Sequence, residues 1–103
     1  MLTQEIAINT VTDFLKSCSE KNIFFKKVIL FGSTVTGNLH PFSDIDVLLV
    51  SDQFGLSKWE NAKLIAPINK KFTEIEAHTY PTKYFLKGDP FINEIKKTGI
   101  EIV

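Results

Sequence analysis

The chain has 103 residues, and its 12 basic and 12 acidic side chains give a formal net charge of zero. A hydrophobic content of 44% and a charged content of 23% are typical of folded globular proteins and argue against disorder. The length predicts a single domain over residues 1–103, with no space for a separate substrate-binding domain. All the basic residues are Lys, which excludes recognition through a guanidinium group, and the charge balance argues against a long nucleic acid as partner.

Cysteine content and hydropathy indicate the compartment. Cys18 is the only cysteine, so an internal disulfide and a cysteine-based zinc site are excluded. The N-terminal sequence has no signal-peptide pattern, and no apolar run approaches the length of a membrane span. We therefore expect a cytoplasmic protein that does not insert into a membrane.

The first half of the chain predicts a helix followed by two strands. Apolar residues recur at steps of three and four over residues 4–21, which predicts an amphipathic helix with Cys18 on its buried side. The apolar run within residues 24–31 predicts a strand covered on both faces, and residues 45–50 predict a second strand rich in β-branched residues and Leu. Residues 34–43 contain glycine and proline, which predicts a loop with at most one helical turn.

The second half predicts a helix, a third strand and further helical segments. Ser57 and Glu60 have the spacing of a capping box, so a helix should begin there, and Pro67 should kink or split it. We expect its buried side to consist of Trp59, Ala62, Leu64, Ile65 and Ile68. The elements predicted after it are a strand over residues 72–80, a helical segment over 81–85, a helix over 90–98 and an edge strand over 100–103.

The most informative feature is a Gly-Ser pair followed by two aspartates at the start of an apolar strand. Gly32 and Ser33 end the first predicted strand, and Asp44 and Asp46 begin the second. Alternate strand residues point to one face, about 6.6 Å apart along the strand, so the two carboxylates should project together. Because they repel each other, a divalent cation such as Mg²⁺ would stabilise the pair. Gly32 permits close backbone approach, and the Ser33 hydroxyl is suited to a phosphate chain.

Each half of this pattern alone is usually a turn or a helix cap. Together, with the acid pair leading directly into the apolar residues 47–50, they favour a ligand site, since an unliganded acid pair against the core is costly. The combination resembles the nucleotidyltransferase family that shares the palm of DNA polymerase beta, and especially its small single-domain branch, the minimal nucleotidyltransferases. The segments Phe31-Gly32-Ser33 and 43–50 carry this resemblance, which extends over the whole chain.

The resemblance implies a fold and a set of ligands. The fold would be α/β (α+β), a polymerase-beta-like palm in which helices flank a small mixed β-sheet. Two Mg²⁺ ions would be shared by Asp44 and Asp46, and the substrate would be ATP or another nucleoside triphosphate. Gly32 and Ser33 would bind its β and γ phosphates.

Family members complete the metal site with a third carboxylate on a later strand. Glu74 and Glu76 are the candidates here, and Glu76 is preferred because the residues around it resemble the family's strand. Many relatives also carry an Arg shortly after the Gly-Ser pair, where this chain has Thr36, which offers one hydroxyl and no charge. The resemblance thus implies Asp44, Asp46 and Glu76 as catalytic metal ligands and Thr36 as a weaker phosphate contact.

The implied reaction is nucleotidyl transfer, in which an acceptor hydroxyl attacks the α-phosphorus and pyrophosphate leaves. Relatives of this size often pair with a helical HEPN-type protein, in some cases as the antitoxin that adenylylates its toxin. We therefore expect a partner protein, or another subunit, to supply the acceptor. Two alternatives stay open: a non-catalytic module that neutralises its partner by binding it, and a transferase that acts on a small molecule such as an aminoglycoside.

Other conspicuous side chains have weaker functional interpretations. His40 is interpreted as an ordinary loop residue beside Pro41, with an approach to a phosphate as the alternative. His78 follows Glu76 by two residues and shares its face, so support of the metal ligands or of an acceptor is the alternative to a structural role. Trp59 and most of the nine Phe residues are expected in the core.

Overall fold

A computed structural model describes residues 3–37 and 44–103. Its helices are α1 (Gln4–Glu20), α2 (Ser33–Thr36), α3 (Lys58–Asn69), α4 (Thr82–Lys87) and α5 (Pro90–Thr98). Its strands are β1 (Lys27–Phe31), β2 (Ile45–Ser51), β3 (Ile75–Pro81) and β4 (Ile100–Glu101). The predicted elements occur in the predicted order, with β1 and β3 each starting three residues later than the sequence pattern indicates.

The four strands form one mixed sheet in the order β3-β2-β1-β4. Strand β1 is antiparallel to both β2 and β4, whereas β2 and β3 are parallel and joined through α3. A sheet of this kind with flanking helices confirms the predicted fold class.

The sheet has two differently covered faces. We call the face that packs against α1 and α3 the closed face; its central residues are Val28, Leu30, Ile45, Val47 and Leu49. The opposite, open face packs against α4 and α5 through Ile29, Leu48 and Val50. Because successive strand residues point to opposite faces, residues 45 to 50 of β2 contribute alternately to both cores.

The helix starts follow the predicted capping chemistry. The Ser57 hydroxyl accepts a hydrogen bond from the Glu60 backbone N–H, and the Asp89 carboxylate accepts one from the Ile92 N–H. The prediction for Pro67 is wrong in part, because α3 continues through it as one helix. Pro67 lies in the last turn, so the helix loses only one late hydrogen bond there.

The predicted buried side of α3 is also partly wrong. Ile65 and Ile68 are buried, but Ala62 is exposed, Trp59 is 70% exposed and Leu64 is 37% exposed. The helix instead turns Asn61 inward, where its amide exchanges hydrogen bonds with the Gly55 backbone and donates to the Thr79 hydroxyl. These buried polar contacts fix the rotation of α3 about its own axis. The hydrophobic periodicity of the sequence does not predict that rotation.

Candidate active site

Three strand ends meet at one edge of the open face. Because β1 and β2 are antiparallel, Phe31 at the end of β1 lies opposite Asp46 at the start of β2. Because β2 and β3 are parallel, Asp46 in turn pairs with Glu76. The three side chains therefore lie in one row on the open face. Helices α4 and α5 cover the next rows of this face and leave this end accessible.

Asp46, Glu76 and His78 form a cluster of potential metal ligands in this row and the next. Each offers one ligand atom, and these atoms lie within 4.8 Å of one another. The Nε2 atom of His78 is 3.4 Å from Oδ1 of Asp46 and 4.0 Å from Oε1 of Glu76. The side chains of Asp46 and His78 are 26% and 30% exposed, whereas Glu76 is 56% exposed. The cluster is thus anchored in the sheet and open to solvent on the side of Glu76.

Gly32 gives the Asp46 carboxylate its space. A Cβ atom at this position would lie 2.6 Å from Oδ2 of Asp46, well inside van der Waals contact. The backbone also has φ +76° and ψ −146° here, a conformation that essentially only glycine adopts. The glycine of the Gly-Ser pair is therefore required by both the turn and the neighbouring carboxylate, which links the two halves of the sequence pattern in space.

Aromatic packing orients His78. The centroid of its ring lies 5.0 Å from that of Phe31 in an edge-to-face arrangement and 6.0 Å from that of Phe91. The Phe31 and Phe91 rings also pack edge to face at 5.6 Å. The imidazole is therefore held by apolar neighbours while Nε2 remains directed at the two carboxylates.

This donor set fits a divalent cation. Two carboxylates and one imidazole supply hard oxygen ligands and a borderline nitrogen ligand, and a cation among them removes the repulsion between the acids. Within residues 3–37 and 44–103, these three side chains form a group of potential metal ligands, and the group lies beside the Gly-Ser turn.

A profile of the nucleotidyltransferase domain family matches residues 11–102. The chain belongs to this family. The family predicted from the Gly-Ser pair and the aspartates is confirmed, and with it the prediction that the protein is a transferase. No curated protein sequence matches the chain significantly.

Two solved structures share the fold of this nucleotidyltransferase domain. One is a provisionally assigned nucleotidyltransferase from Sulfolobus solfataricus, with a TM-score of 0.69 and 13% identity over 95% of this chain and 80% of that one. The other is a toxin–antitoxin complex crystallised with AMP-PNP, with a TM-score of 0.61 and 17% identity over 93% of this chain and 72% of that one. At these identities the likeness establishes the fold.

The remaining predicted site residues of the nucleotidyltransferase domain surround the cluster without joining it. Asp44 is exposed and lies directly before β2, two residues from Asp46. Glu74 is exposed and lies directly before β3, whereas Glu76 is within the strand and pairs with Asp46. Among the described residues, the ligand cluster contains Glu76 and neither Asp44 nor Glu74. The roles of all these acids stay predictions.

The Gly-Ser turn leads directly into α2. Ser33 is half-buried at the first position of this helix, and Thr36 is exposed at its last position. Gly37 ends the helix with φ +85°. His40 and Ser43 lie outside the described residues.

The sequence did not predict that His78 contacts the Asp46 carboxylate directly, and it did not identify Lys58 as a residue near the cleft. The i, i+2 spacing of Glu76 and His78 was the available signal for the histidine. Lys58 lines the same cleft of about 410 Å³ as Glu76 and His78, and its ammonium lies 3.2 Å from the centre of the Tyr80 ring. Burial lowers the pKa of Lys58, and the Asp89 carboxylate partly opposes that shift. Lys58 is therefore a cation that shares a cleft with Glu76 and His78 in a chain without arginine.

Among the described helices, none is long and apolar enough to cross a membrane. The predicted cytoplasmic location stays a prediction.

Proposed function

We propose that this chain transfers a nucleoside monophosphate from a nucleoside triphosphate, with ATP preferred, to a hydroxyl group on a partner protein. The observation that carries this proposal is the meeting of Asp46 and Glu76 beside Gly32 at the uncovered end of the sheet. The family match supports the reaction type, and the neighbouring fold crystallised with AMP-PNP supports an adenine nucleotide.

Residues at the starts of β2 and β3 would perform different parts of the reaction. The acceptor oxygen attacks the α-phosphorus, the bond from that phosphorus to the bridging oxygen of the β-phosphate breaks, and pyrophosphate leaves with the bonding electrons. Divalent cations, when bound, would supply positive charge that neutralises the triphosphate and the charge that develops during transfer. Asp44 and Asp46 would ligate these ions. Glu76, the third predicted ligand and the most exposed member of the cluster, would also receive the proton of the acceptor hydroxyl.

The Gly-Ser turn would hold the phosphates. Gly32 keeps the backbone close to Asp46, and the Ser33 hydroxyl follows it at the start of α2. Thr36 would add one neutral hydrogen bond where relatives have a guanidinium, so we expect weaker binding of the triphosphate than in those relatives. Lys58 is a candidate for supplying part of the missing positive charge.

A partner protein is proposed as the acceptor because a neighbouring fold comes from a toxin–antitoxin complex. We expect this partner to be of the HEPN type and the chain to act as the antitoxin. A groove of about 590 Å³ on the described surface supports such an interface; its apolar walls are Phe54, Leu56, Pro81 and Tyr84.

The charge around this groove indicates the chemistry of the docking segment. Lys83 and Lys87 lie at the groove, whereas the one acid in its lining, Asp52, already pairs with Lys26 at 3.6 Å and accepts a hydrogen bond from Thr82. The net field is therefore positive beside an apolar surface. We propose that the groove binds a partner segment with apolar residues flanked by acidic ones.

Incubation with α-labelled ATP, a divalent cation and the product of the neighbouring gene tests the proposal. We expect the label to appear on the partner protein. The double variant Asp44→Asn with Asp46→Asn should abolish labelling while it still binds the partner.

Two results would contradict the proposal. Absence of labelling with all four triphosphates and several partners would exclude the transfer, and full neutralisation of the partner by the double variant would favour a non-catalytic binding module.

A further inference from the structure

His78 adds a nitrogen ligand to a site whose predicted ligands are all carboxylates. We propose that Asp46, Glu76 and His78 together bind a divalent first-row transition metal ion, with Mn²⁺ preferred over Mg²⁺, and that Nε2 of His78 is one of its ligands. This inference rests on the proposed function, since it names the metal class of the same site.

The distances within the cluster suit one shared ion. Two ligands that each lie about 2.1 Å from a metal are about 3.0 Å apart when adjacent and about 4.2 Å apart when opposite. The separations from His78 Nε2 to Asp46 Oδ1 and Glu76 Oε1 are 3.4 and 4.0 Å, within that range. All three ligand atoms are within 4.8 Å of one another, so one ion can lie within reach of all three.

The surroundings of His78 favour a ligand over a solvated side chain. Its side chain is 30% exposed, and the Phe31 and Phe91 rings pack against it. These contacts restrict the imidazole before any metal binds, which lowers the entropy cost of ligation. Leu48, which pairs with His78 in the register of β2 and β3, is fully buried, so this part of the sheet is closed to solvent beside the histidine.

The nitrogen determines the metal preference. Mg²⁺ takes oxygen ligands and retains its waters, so an imidazole adds little to its binding. First-row transition metals accept imidazole and carboxylate together, and Mn²⁺ does so while keeping the octahedral, water-containing shell that a triphosphate requires. A site with one imidazole and two carboxylates therefore selects Mn²⁺ over Mg²⁺.

Mn²⁺ binding to the full chain in the absence of nucleotide tests this inference, with pulsed electron paramagnetic resonance as the readout. We expect a ¹⁴N coupling from one imidazole to the bound Mn²⁺ and an affinity for Mn²⁺ at least tenfold above that for Mg²⁺. The variant His78→Gln should lose the coupling and weaken Mn²⁺ binding about tenfold or more, with Mg²⁺ affinity changed less than threefold. The control Asp13→Asn, at an exposed position of α1, should retain both.

Absence of ¹⁴N coupling in the wild-type chain would overturn the inference, whatever the variants do, and so would equal Mn²⁺ affinities of the wild type and His78→Gln. The binding readout is independent of turnover. Label transfer with Mg²⁺ but without nitrogen coupling would contradict only this inference, whereas nitrogen coupling without label transfer would contradict only the proposed reaction.

Discussion

The two faces of β2 use alternate residues of one short sequence for different purposes. On the closed face, Ile45, Val47 and Leu49 are all fully buried beneath α1 and α3. On the open face, Leu48 and Val50 are equally buried beneath α4 and α5, but Asp46 at the strand start is not. The candidate site thus arises where the helical cover ends on one face only.

The difference in helical cover between the two faces explains how this small domain keeps carboxylates accessible to ligands. Helices α4 and α5 have six and nine residues, whereas α1 has 17, so the open face has less cover than the closed one. Asp46 is supported by strand pairing with Phe31 and Glu76 yet stays partly in water, which avoids the cost of burying its charge. The strands position the acids, and the shorter helical cover leaves them accessible to solvent and ligands.

The largest predicted effect follows from removal of the charge on the open face. Asp46→Asn keeps the shape of the side chain but removes its anionic ligand oxygen, so we expect label transfer to fall about a thousandfold. The fold should persist, because the closed-face core is untouched. Asp13→Asn, at an exposed position of α1, is the matched control and should retain full transfer. A loss of less than tenfold in Asp46→Asn would contradict the assignment.

A glycine comparison tests whether the Gly-Ser turn protects Asp46. An alanine Cβ at position 32 would collide with the Asp46 carboxylate, whereas at Gly37, which also has positive φ, no atom lies within 4 Å. We expect Gly32→Ala to weaken metal binding about tenfold or more, and Gly37→Ala to leave it unchanged. Both variants should lose about 1–3 kcal/mol of unfolding free energy through backbone strain, measured by urea denaturation. Equal metal affinities of the two variants would refute the role given to Gly32.

The proposed partner groove is tested by two exposed leucines. Leu56 is 77% exposed and lines the groove, whereas Leu86 is 71% exposed and does not. An aspartate at position 56 would remove apolar contact area and repel an acidic segment, so Leu56→Asp should weaken binding to the partner about tenfold, measured by calorimetry. Leu86→Asp should bind as the wild type does. The reverse order would assign the interface to another surface.

The smallest predicted effect concerns the closed face. Cys18 is fully buried in α1, and burial raises the pKa of its thiol to about 11. As pH rises above about 8.5, the unfolded thiol ionises first, so the stability that the neutral thiol contributes is lost as pH approaches 11. Urea denaturation should show the wild type losing about 1–2 kcal/mol of unfolding free energy between pH 8.5 and 11 relative to Cys18→Ala. Parallel pH profiles of the two chains would show that the thiol is accessible in the folded protein.

Local patterns were sufficient to predict the elements and one part of the site. The apolar run after Asp46 predicts the strand whose start carries that carboxylate, with Asp44 directly before it, and the capping residues Ser57 and Asp89 begin their helices as predicted. The orientation of α3 was not predictable in this way. It depends on the buried hydrogen bonds of Asn61 to residues that a hydrophobic pattern does not identify.

The rest of the site depends on the register between β2 and β3, which are neighbours in the sheet but separated by α3 in the sequence. Sequence alone left Glu74 and Glu76 as alternatives, and the register that pairs Asp46 with Glu76 comes from the parallel pairing of β2 and β3. The contact of His78 with Asp46 needs that register together with the packing of Phe31 from β1 and Phe91 from α5, which are far apart in the sequence. Contacts of this kind have no local sequence signal.

The most direct test of the central claim compares ATP labelled at the α-phosphate with ATP labelled at the γ-phosphate, each incubated with the chain, Mn²⁺ or Mg²⁺ and the partner protein. If Asp46 and Glu76 form a nucleotidyl-transfer site, the α label alone becomes attached to the partner and pyrophosphate is released. Attachment of the γ label, or of neither label with either metal, would contradict that claim.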